Sequence, residues 1–273
     1  MLVACSYGKI KYFYPKLYAL MLKLSGVIIT YNEEDKIETC LQSLVGIVDE
    51  IVVVDSLSTD HTKAICQKYN VTFIEQAFLG YVEQKNFALS KANYNHVVCL
   101  DADEYLSETL KQSILHLKSN WVHDGYIAKR FNYFCGQWIK HTTWYPDKKL
   151  RVFDKTKAQW GGLNPHDSVK FFNKDSKAAL LKGDILHHTY QSYSEFNQRV
   201  EKFSSISAES NFKLGKKAPI YKIILNPTWA FIQSYIVKLG FLDGLNGFII
   251  SVQTANIRFL KYIKLRELIK KNS

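Results

Sequence analysis

The chain has 273 residues and is 47% hydrophobic, which is enough apolar material to bury a full core in one or two domains. Its formal net charge is +11, and the excess lies at the two ends: residues 211 to 273 contain eleven Lys or Arg and two acids, and residues 1 to 23 add four Lys. No stretch of 18 apolar residues is free of charge, so no transmembrane span is predicted, and five scattered cysteines without zinc spacing indicate reduced residues in a cytoplasmic protein.

The first predicted elements are a strand and a helix. Leu24–Thr30 is a β-branched run that is typical of a buried strand. Apolar residues recur at helical spacing from Ile37 to Val45, and Gly46 follows as a stop signal. The unit is therefore a strand, a loop and a helix.

The same unit recurs as far as residue 101. Glu50–Asp55 predicts a second strand, and residues 58 to 60 offer capping side chains for a short helix. A strand over 71 to 74, a helix near 82 to 92 and a strand ending at Asp101 follow. Strands that alternate with helices predict an α/β fold with a doubly wound, mainly parallel sheet and helices on both of its faces.

Asp101 and Asp103 follow the last of these strands, at the sheet edge where open α/β folds bind their ligands. Two carboxylates suit Mg²⁺ or Mn²⁺, which substrate phosphates usually complete. Two surface acids in a loop are the alternative explanation for so short a pattern. Because the chain has neither a Gly-x-Gly-x-x-Gly nor a Gly-x-x-x-x-Gly-Lys motif, a metal or basic side chains must meet the phosphate charge.

Four segments between Val27 and Glu104 carry a family resemblance: VIITYNEEDKIETCLQSL, EIVVVDSLSTDHT, GYVEQKNFALSKA and HVVCLDADE. In this order they resemble glycosyltransferase family 2, the inverting GT-A fold enzymes that use nucleotide-sugar donors. WYPDKKLRVFDK, NPHDSV and LLKGDILHHTY in the second half are similar to the bacterial subgroup of lipopolysaccharide core assembly, which includes β-1,4-glucosyltransferases. The resemblance implies a donor that is a nucleotide sugar, in the first place a UDP-sugar.

The resemblance also implies a nucleoside site. Tyr31 matches a position that stacks on the base, and Asp55 one that accepts an imide N–H. Glu33 is expected to give polar support nearby. Leu57 stands where relatives commonly carry glycine, which affects the geometry of the turn.

The phosphate and metal positions follow from the same resemblance. Asp101 matches the position near the ribose and the metal, and Asp103 matches the direct metal ligand. Lys85 matches a basic position facing the nucleotide, although a helical lysine can equally be a solvated charge. Arg151 matches a residue that faces the phosphates.

The expected catalytic base is Asp167, which follows His166 in a motif where relatives usually carry a glutamate. Inversion requires one carboxylate to take the proton of the acceptor hydroxyl, and a turn aspartate is the alternative reading of Asp167. Of the adjacent His187 and His188, at most one can face the site, because neighbouring strand residues point to opposite faces.

Four regions are predicted along the chain. They are an N-terminal extension over residues 1–20, a nucleotide-sugar-binding half over 21–135, an acceptor and catalytic half over 136–195, and a basic helical region over 196–273. Basic residues mixed with aromatic ones in the last region indicate interfacial helices on anionic lipid. A solvated tail packed on the enzyme is the alternative, and nucleic acid is not an expected partner.

The sequence thus predicts an inverting, metal-dependent glycosyltransferase peripheral to the cytoplasmic face of the bacterial inner membrane. It would move a hexose, in the first place glucose from UDP-glucose, to a lipid-linked acceptor such as lipopolysaccharide core. A capsule, polysaccharide or protein acceptor, and a non-catalytic nucleotide-sugar-binding scaffold, are the alternatives. The retained carboxylates at Asp55, Asp101, Asp103 and Asp167 favour the enzyme.

Overall fold

The computed structural model describes residues 21–163 and 166–272. The predicted N-terminal extension over 1–20, Cys5, and Asn164-Pro165 of the predicted base motif lie outside the described residues.

The first half of the chain forms a parallel block of four strands. Its elements are β1 (Leu24–Thr30), α1 (Ile37–Leu44), β2 (Glu50–Asp55), α2 (Thr62–Cys66), β3 (Thr72–Glu75), α3 (Tyr81–Lys91) and β4 (His96–Asp101). The strand order is β3-β2-β1-β4, and every pair is parallel. Register pairs Thr30 with Asp55 and Ile29 with Asp101, so the carboxyl ends of β1, β2 and β4 meet at one edge.

The two faces of this block carry separate cores. Alternate strand residues such as Ile28 and Val53 pack with the buried face of α1, and their neighbours Val27 and Val52 pack with α3. Side chains on a strand alternate between faces, which explains how one run of apolar residues serves both cores. The predicted helices on both faces of the sheet are confirmed.

The second half extends this sheet and makes it mixed. Its elements are β5 (Glu104–Leu106), α4 (Glu108–Leu117), β6 (Gly125–Phe134), β7 (Gln137–Trp138), β8 (Asp147–Asp154), β9 (Ala158–Leu163), β10 (His166–Phe171) and β11 (Ala178–Tyr190). The order continues β4-β8-β6-β11-β5, antiparallel at β4/β8, β8/β6 and β11/β5 and parallel at β6/β11. β9 and β10 form a separate antiparallel hairpin.

Three helices complete the chain: α5 (Tyr193–Lys213), α6 (Ile220–Ile232) and α7 (Gly244–Lys271). A π-helical turn, Gln233–Val237, and a 3-10 turn, Gly240–Asp243, join the last two. Both α5 and α6 pack against α7. Among the described residues no single helix is long and apolar enough to cross a membrane, although the pair Ile220–Val237 and Gly240–Lys271, bent by 70°, meets the length and composition together.

Two predicted helices are shorter than expected. α1 ends at Leu44, because Val45 has extended backbone (ψ 127°) and begins the turn through Gly46 (φ 77°). α2 ends at Cys66 and leaves Tyr69 outside the helix. Asp60 does serve the start of α2, since its carboxylate accepts the N–H of Thr62 at 3.0 Å.

Candidate functional site

The loops after β1 and β2 lock together where the nucleoside site is predicted. The N–H of Asn32 donates to the Ser58 hydroxyl, and Oδ1 of Asn32 accepts the N–H of Thr59, both at 2.8 Å. Asp55 is 1% exposed, and both its oxygens accept hydrogen bonds from Ser58. Asp55 therefore shapes this turn.

Tyr31 and Leu57 frame the same turn from its solvent side. The Tyr31 ring is 58% exposed, so its face is open to a stacking partner. Leu57 adopts φ 64°, the left-handed conformation that glycine accepts most readily. The turn thus has the left-handed backbone conformation that glycine would adopt, although a leucine occupies the position.

A buried ion cluster lies at the end of β4. Lys85 of α3 places Nζ 2.9 Å from Asp101 Oδ1 and 2.8 Å from Asp167 Oδ2. Arg151 of β8 places Nη2 3.0 Å from Asp101 Oδ2. Four of the predicted site residues, Lys85, Asp101, Arg151 and Asp167, are thus brought together from four different elements.

The β9–β10 hairpin delivers Asp167 to this cluster, and Asn86 fastens the hairpin. The Asn86 amide accepts from the N–H of Trp160 and donates to its carbonyl, both at 2.9 Å. Asn86 follows Lys85 on α3, so the same helix turn positions the lysine and the hairpin. The indole of Trp160 lies beneath both cations, 4.5 Å from Lys85 Nζ and 5.2 Å from the Arg151 guanidinium carbon.

Glu104 is the central carboxylate of the network and was not predicted from the sequence. It is fully buried, and its Oε1 lies 2.9 Å from Arg151 and 3.1 Å from Arg130. Its Oε2 accepts the N–H of Asp101 at 3.0 Å. Arg130 continues to Asp147 at 2.8 Å. The only signal in the sequence was the place of Glu104 directly after Asp103.

The charges of the cluster stabilise one another. Burial opposes ionisation of Asp101, but Lys85 and Arg151 outweigh it and hold the pKa of this carboxyl well below its usual range. Burial likewise opposes the charge on Lys85, yet Asp101 and Asp167 leave its pKa above the ordinary value. Asp101 and Lys85 are therefore both charged at neutral pH.

Asp103 faces a different partner, His187. The Nε2 atom of His187 lies 3.1 Å from Asp103 Oδ2, and Nδ1 lies 2.8 Å from Oδ1 of Asn132. The Asn132 amide nitrogen donates to the carbonyl of Trp144 at 2.9 Å, which fixes the orientation of the amide. Burial opposes ionisation of Asp103, but His187 outweighs it, so the pKa of Asp103 lies below its ordinary value.

The structure distinguishes the two adjacent histidines. His187 is 9% exposed and lies beside Asp103. His188 points the other way, where Nε2 lies 3.2 Å from the Tyr105 hydroxyl and the ring contacts Trp138. His187 is therefore the member of the pair that faces the site.

Asp103 and His187 fit a divalent cation that substrate oxygens complete. Because Oδ1 of Asn132 can only accept, Nδ1 of His187 donates to it. Nε2 then faces Asp103 either with a proton, which lowers the pKa of Asp103, or with a lone pair that a cation can use. Two acceptors facing each other at 3.1 Å call for a proton or a cation between them. Within the described chain no group of three or more His, Cys, Asp or Glu could hold a metal.

Three residues of the predicted donor site, Asp101, Arg151 and Glu33, have protein partners in this arrangement. Both oxygens of Asp101 lie against Lys85 and Arg151, so Asp103 and His187 are better placed to ligate. Arg151 is 3% exposed, and its contact with a phosphate would require the cluster to open. Glu33 is paired with Lys36 at 3.3 Å, and burial together with the nearby charge of Asp103 raises the pKa of Glu33.

The chain is similar in sequence and in fold to known glycosyltransferases. The chain is 34% identical over 258 residues to an uncharacterised glycosyltransferase of Rickettsia typhi, covering 91% of this chain and 88% of the relative. It is 29% identical to the lipopolysaccharide core biosynthesis glycosyltransferase LpsC of Rhizobium meliloti, covering 89% and 92%. The fold resembles the mannosyltransferase PcManGT of Pyrobaculum calidifontis, solved with GDP-Man and Mn²⁺, with a TM-score of 0.50, 15% identity and coverage of 89% and 86%.

The family model for glycosyl transferase family 2 matches residues 25–176, which span the parallel block, the ion cluster and the β9–β10 hairpin. The chain therefore belongs to glycosyltransferase family 2.

Proposed function

We propose that this glycosyltransferase moves a hexose with inversion, in the first place glucose from UDP-glucose, to lipopolysaccharide core or a related glycolipid. The observation that carries the proposal is the position of the Asp103–His187 pair and the Lys85–Asp101–Asp167 cluster at the carboxyl end of β4. A cation site and a candidate base thus share one crevice, as a metal-dependent sugar transfer requires.

Each residue has a proposed part in donor binding. The exposed face of Tyr31 would stack on the nucleoside base, and Asp55 would hold the turn beneath it. Asp103 and His187 would hold Mg²⁺ or Mn²⁺, which when bound would stabilise negative charge on the departing diphosphate. Lys85, with Arg151 behind it, adds positive charge at the same crevice.

Asp167 is the proposed base. Its carboxylate would take the proton of the acceptor hydroxyl while that oxygen attacks the anomeric carbon. The bond from this carbon to the phosphate oxygen breaks, and the diphosphate leaves with the electron pair. Lys85 Nζ, 2.8 Å from Asp167 Oδ2, holds this carboxylate in position at the crevice.

The acceptor is proposed from the relatives and from the charge of the C-terminal region. LpsC covers nearly the whole chain and is named for lipopolysaccharide core biosynthesis. The eleven basic residues between 211 and 273 would favour the anionic surface of the bacterial inner membrane, on its cytoplasmic side.

A donor-hydrolysis screen across nucleotide sugars, with Mg²⁺ and with Mn²⁺, tests the proposal. We expect metal-dependent release of UDP from UDP-glucose, followed by transfer to lipopolysaccharide core acceptors. Hydrolysis of another donor alone would overturn the choice of glucose. Nucleotide-sugar binding without hydrolysis or transfer to any acceptor would instead identify a non-catalytic scaffold.

A further inference from the structure

The C-terminal helices expose an unusual amount of apolar surface. More than half of the large hydrophobic side chains that are exposed in the described part of the chain lie between residues 220 and 263. We call the central part of this surface the apolar face, and its members are between 44% and 69% exposed: Leu225, Trp229, Ile236, Leu242, Leu245 and Phe248. An exposed apolar surface of this extent marks an interaction site.

Charge is nearly absent from the apolar face and concentrated on either side of it. Between Lys222 and Arg258 the sequence contains two charged residues, Lys238 and Asp243. Asp243 is only 4% exposed, and its carboxylate accepts hydrogen bonds from the N–H groups of Lys140 and His141. Lys238 is exposed at the bend, where its long side chain can reach the headgroup level, and the other basic residues of the region lie before 223 and after 257, so the apolar face has cationic flanks.

The apolar face lies on a bend. The axes of 220–237 and 240–271 differ by 70°, and a run of aromatic contacts stabilises the corner. Tyr235 lies 5.3 Å from Phe231 and 5.6 Å from Phe248, measured between ring centroids. A bent apolar segment with basic flanks matches the layered chemistry of a membrane interface, with headgroups above and acyl chains below.

We propose that the apolar face inserts into the acyl layer of a phospholipid bilayer while its basic flanks lie among anionic headgroups. Charge complementarity identifies the lipid as the occupant, because the acyl layer accepts no charge and headgroups attract cations on both sides. Apolar burial then holds the protein on the membrane, and electrostatic attraction assists. The inference rests on the proposed function only for the presence of a lipid-linked acceptor.

Hydrogen bonds connect the inserted segment to the sugar-transfer crevice. The N–H of His141 donates to Asp243 at 2.7 Å, and the N–H of Thr142 donates to the carbonyl of Lys238 at 3.1 Å. The same loop ends at Trp144, whose carbonyl holds the amide of Asn132 and, through it, His187. Insertion would therefore set the height of the crevice above the lipid headgroups.

Vesicle flotation of the full chain tests the proposal, with neutral phosphatidylcholine vesicles and with vesicles that also contain phosphatidylglycerol, at low and high salt. We expect binding to both kinds of vesicle that persists at high salt. The pair Leu242→Ser and Leu245→Ser should weaken binding by about 100-fold, because burial of each leucine favours the bilayer by about 10-fold. The matched pair Val122→Ser and Leu180→Ser, also exposed but far along the chain, should bind normally.

The fluorescence of Trp229 reports how deeply the apolar face inserts into the bilayer. Brominated acyl chains should quench the fluorescence of the wild type, and Trp229→Phe should bind as well but lose most of the quenching. Because these side chains are exposed, circular dichroism should show all variants folded, and donor hydrolysis in solution should be unchanged.

Three results would overturn the proposal. In the first, the protein binds only to anionic vesicles, and high salt reverses this binding. In the second, the Leu242→Ser and Leu245→Ser variant binds as well as the wild type. The third is absence of vesicle binding together with a dimer, seen by light scattering, that the same variant dissociates. None of these outcomes depends on a sugar donor, so they are separate from failure of the donor-hydrolysis screen.

Discussion

Asp101 and Asp103 lie two positions apart and serve different partners. Their side chains are similarly exposed, 26% for Asp101 and 24% for Asp103, but Asp101 is bound between the two cations of the buried cluster, Lys85 and Arg151, whereas Asp103 faces His187. Residues i and i+2 share a face on a strand, but β4 ends at Asp101 and the chain turns before Asp103. The turn therefore gives the two carboxylates different partners.

The assignment of Asp103 to the metal leads to the first prediction. Asp103→Ala should abolish the enhancement of UDP binding by Mn²⁺, because the remaining His187 offers a single neutral ligand. Calorimetry of UDP binding with and without Mn²⁺ measures the difference. Asp175→Ala, an exposed carboxylate before the start of β11, is the control and should keep the full enhancement. An equal enhancement in the Asp103 variant would place the metal elsewhere.

Asp167 gives the second prediction. Asp167→Asn keeps the size and a hydrogen-bond acceptor for Lys85 but cannot take a proton. Transfer should fall by at least ~10²-fold while donor affinity stays close to the wild-type value, as loss of a general base predicts. Steady-state kinetics and UDP titration separate the two quantities. Transfer that persists would mean that another carboxylate is the base, and the next candidate is Asp147, which forms ion pairs with Arg130 and Lys149.

At the scale of elements, the buried network links strands that are distant in sequence. Glu104 of β5 bridges Arg130 of β6 and Arg151 of β8, and it also holds the N–H at the end of β4. A carboxylate with no exposed surface and two guanidinium partners cannot be removed without leaving buried charge. The network therefore fixes the order of the central strands around the site.

Glu104→Gln should lower the free energy of unfolding by about 3–5 kcal/mol, because the buried Arg151 and the partly buried Arg130 lose their shared counter-charge. Urea unfolding at neutral pH gives the value. Glu108→Gln provides the comparison, since that side chain is 83% exposed and pairs with Lys111 at the surface; its effect should stay below about 1 kcal/mol. A loss of under 1 kcal/mol for Glu104→Gln would mean that the cluster relaxes or admits water.

The whole molecule combines a nucleotide-binding sheet with a positively charged helical end. Not all of the C-terminal cations are free to attract lipid. Lys264 is bound to the carboxylate of Glu201 at 2.6 Å and to the hydroxyl of Ser204 at 2.8 Å. Burial, with the nearby charges of Arg258 and Lys216, lowers the pKa of Lys261 to about 8. Both lysines therefore serve internal packing more than long-range attraction.

The fourth prediction concerns the electrostatic attraction of the protein to lipid, and it is tested at basic residues that are exposed. Neutralising Lys213, Lys217, Arg266 and Lys270 to Gln should slow association with anionic vesicles at low salt, and raised salt should abolish the difference from wild type. Stopped-flow energy transfer to labelled vesicles measures the rate. Donor hydrolysis in solution should be unchanged, since none of these residues lies near the crevice. Equal association rates at low salt would show that the charge does not steer the protein to lipid.

The sequence alone determined the parallel half of the fold and the edge that carries the site. β1, β2 and β4 have the predicted bounds because each is a short apolar run that ends in a polar residue, and such local patterns decide strand position. Asp55 and Asp101 therefore lie at one edge of the sheet, on either side of the end of β1, as the parallel pairing of β1 with both β2 and β4 requires.

Only the tertiary structure decided which partners the site residues have. Glu104 meets Arg151 across 47 positions, and Lys85 meets Asp167 across 82, because loop and hairpin packing sets such contacts and no local pattern encodes them. The choice of His187 over His188 depended on the register of β11. Likewise, residues 220 to 263 are largely apolar in sequence, but the packing of the helices decides which of their side chains are buried. Here α6 packs against α7 on one side and leaves the apolar side chains of the other side exposed.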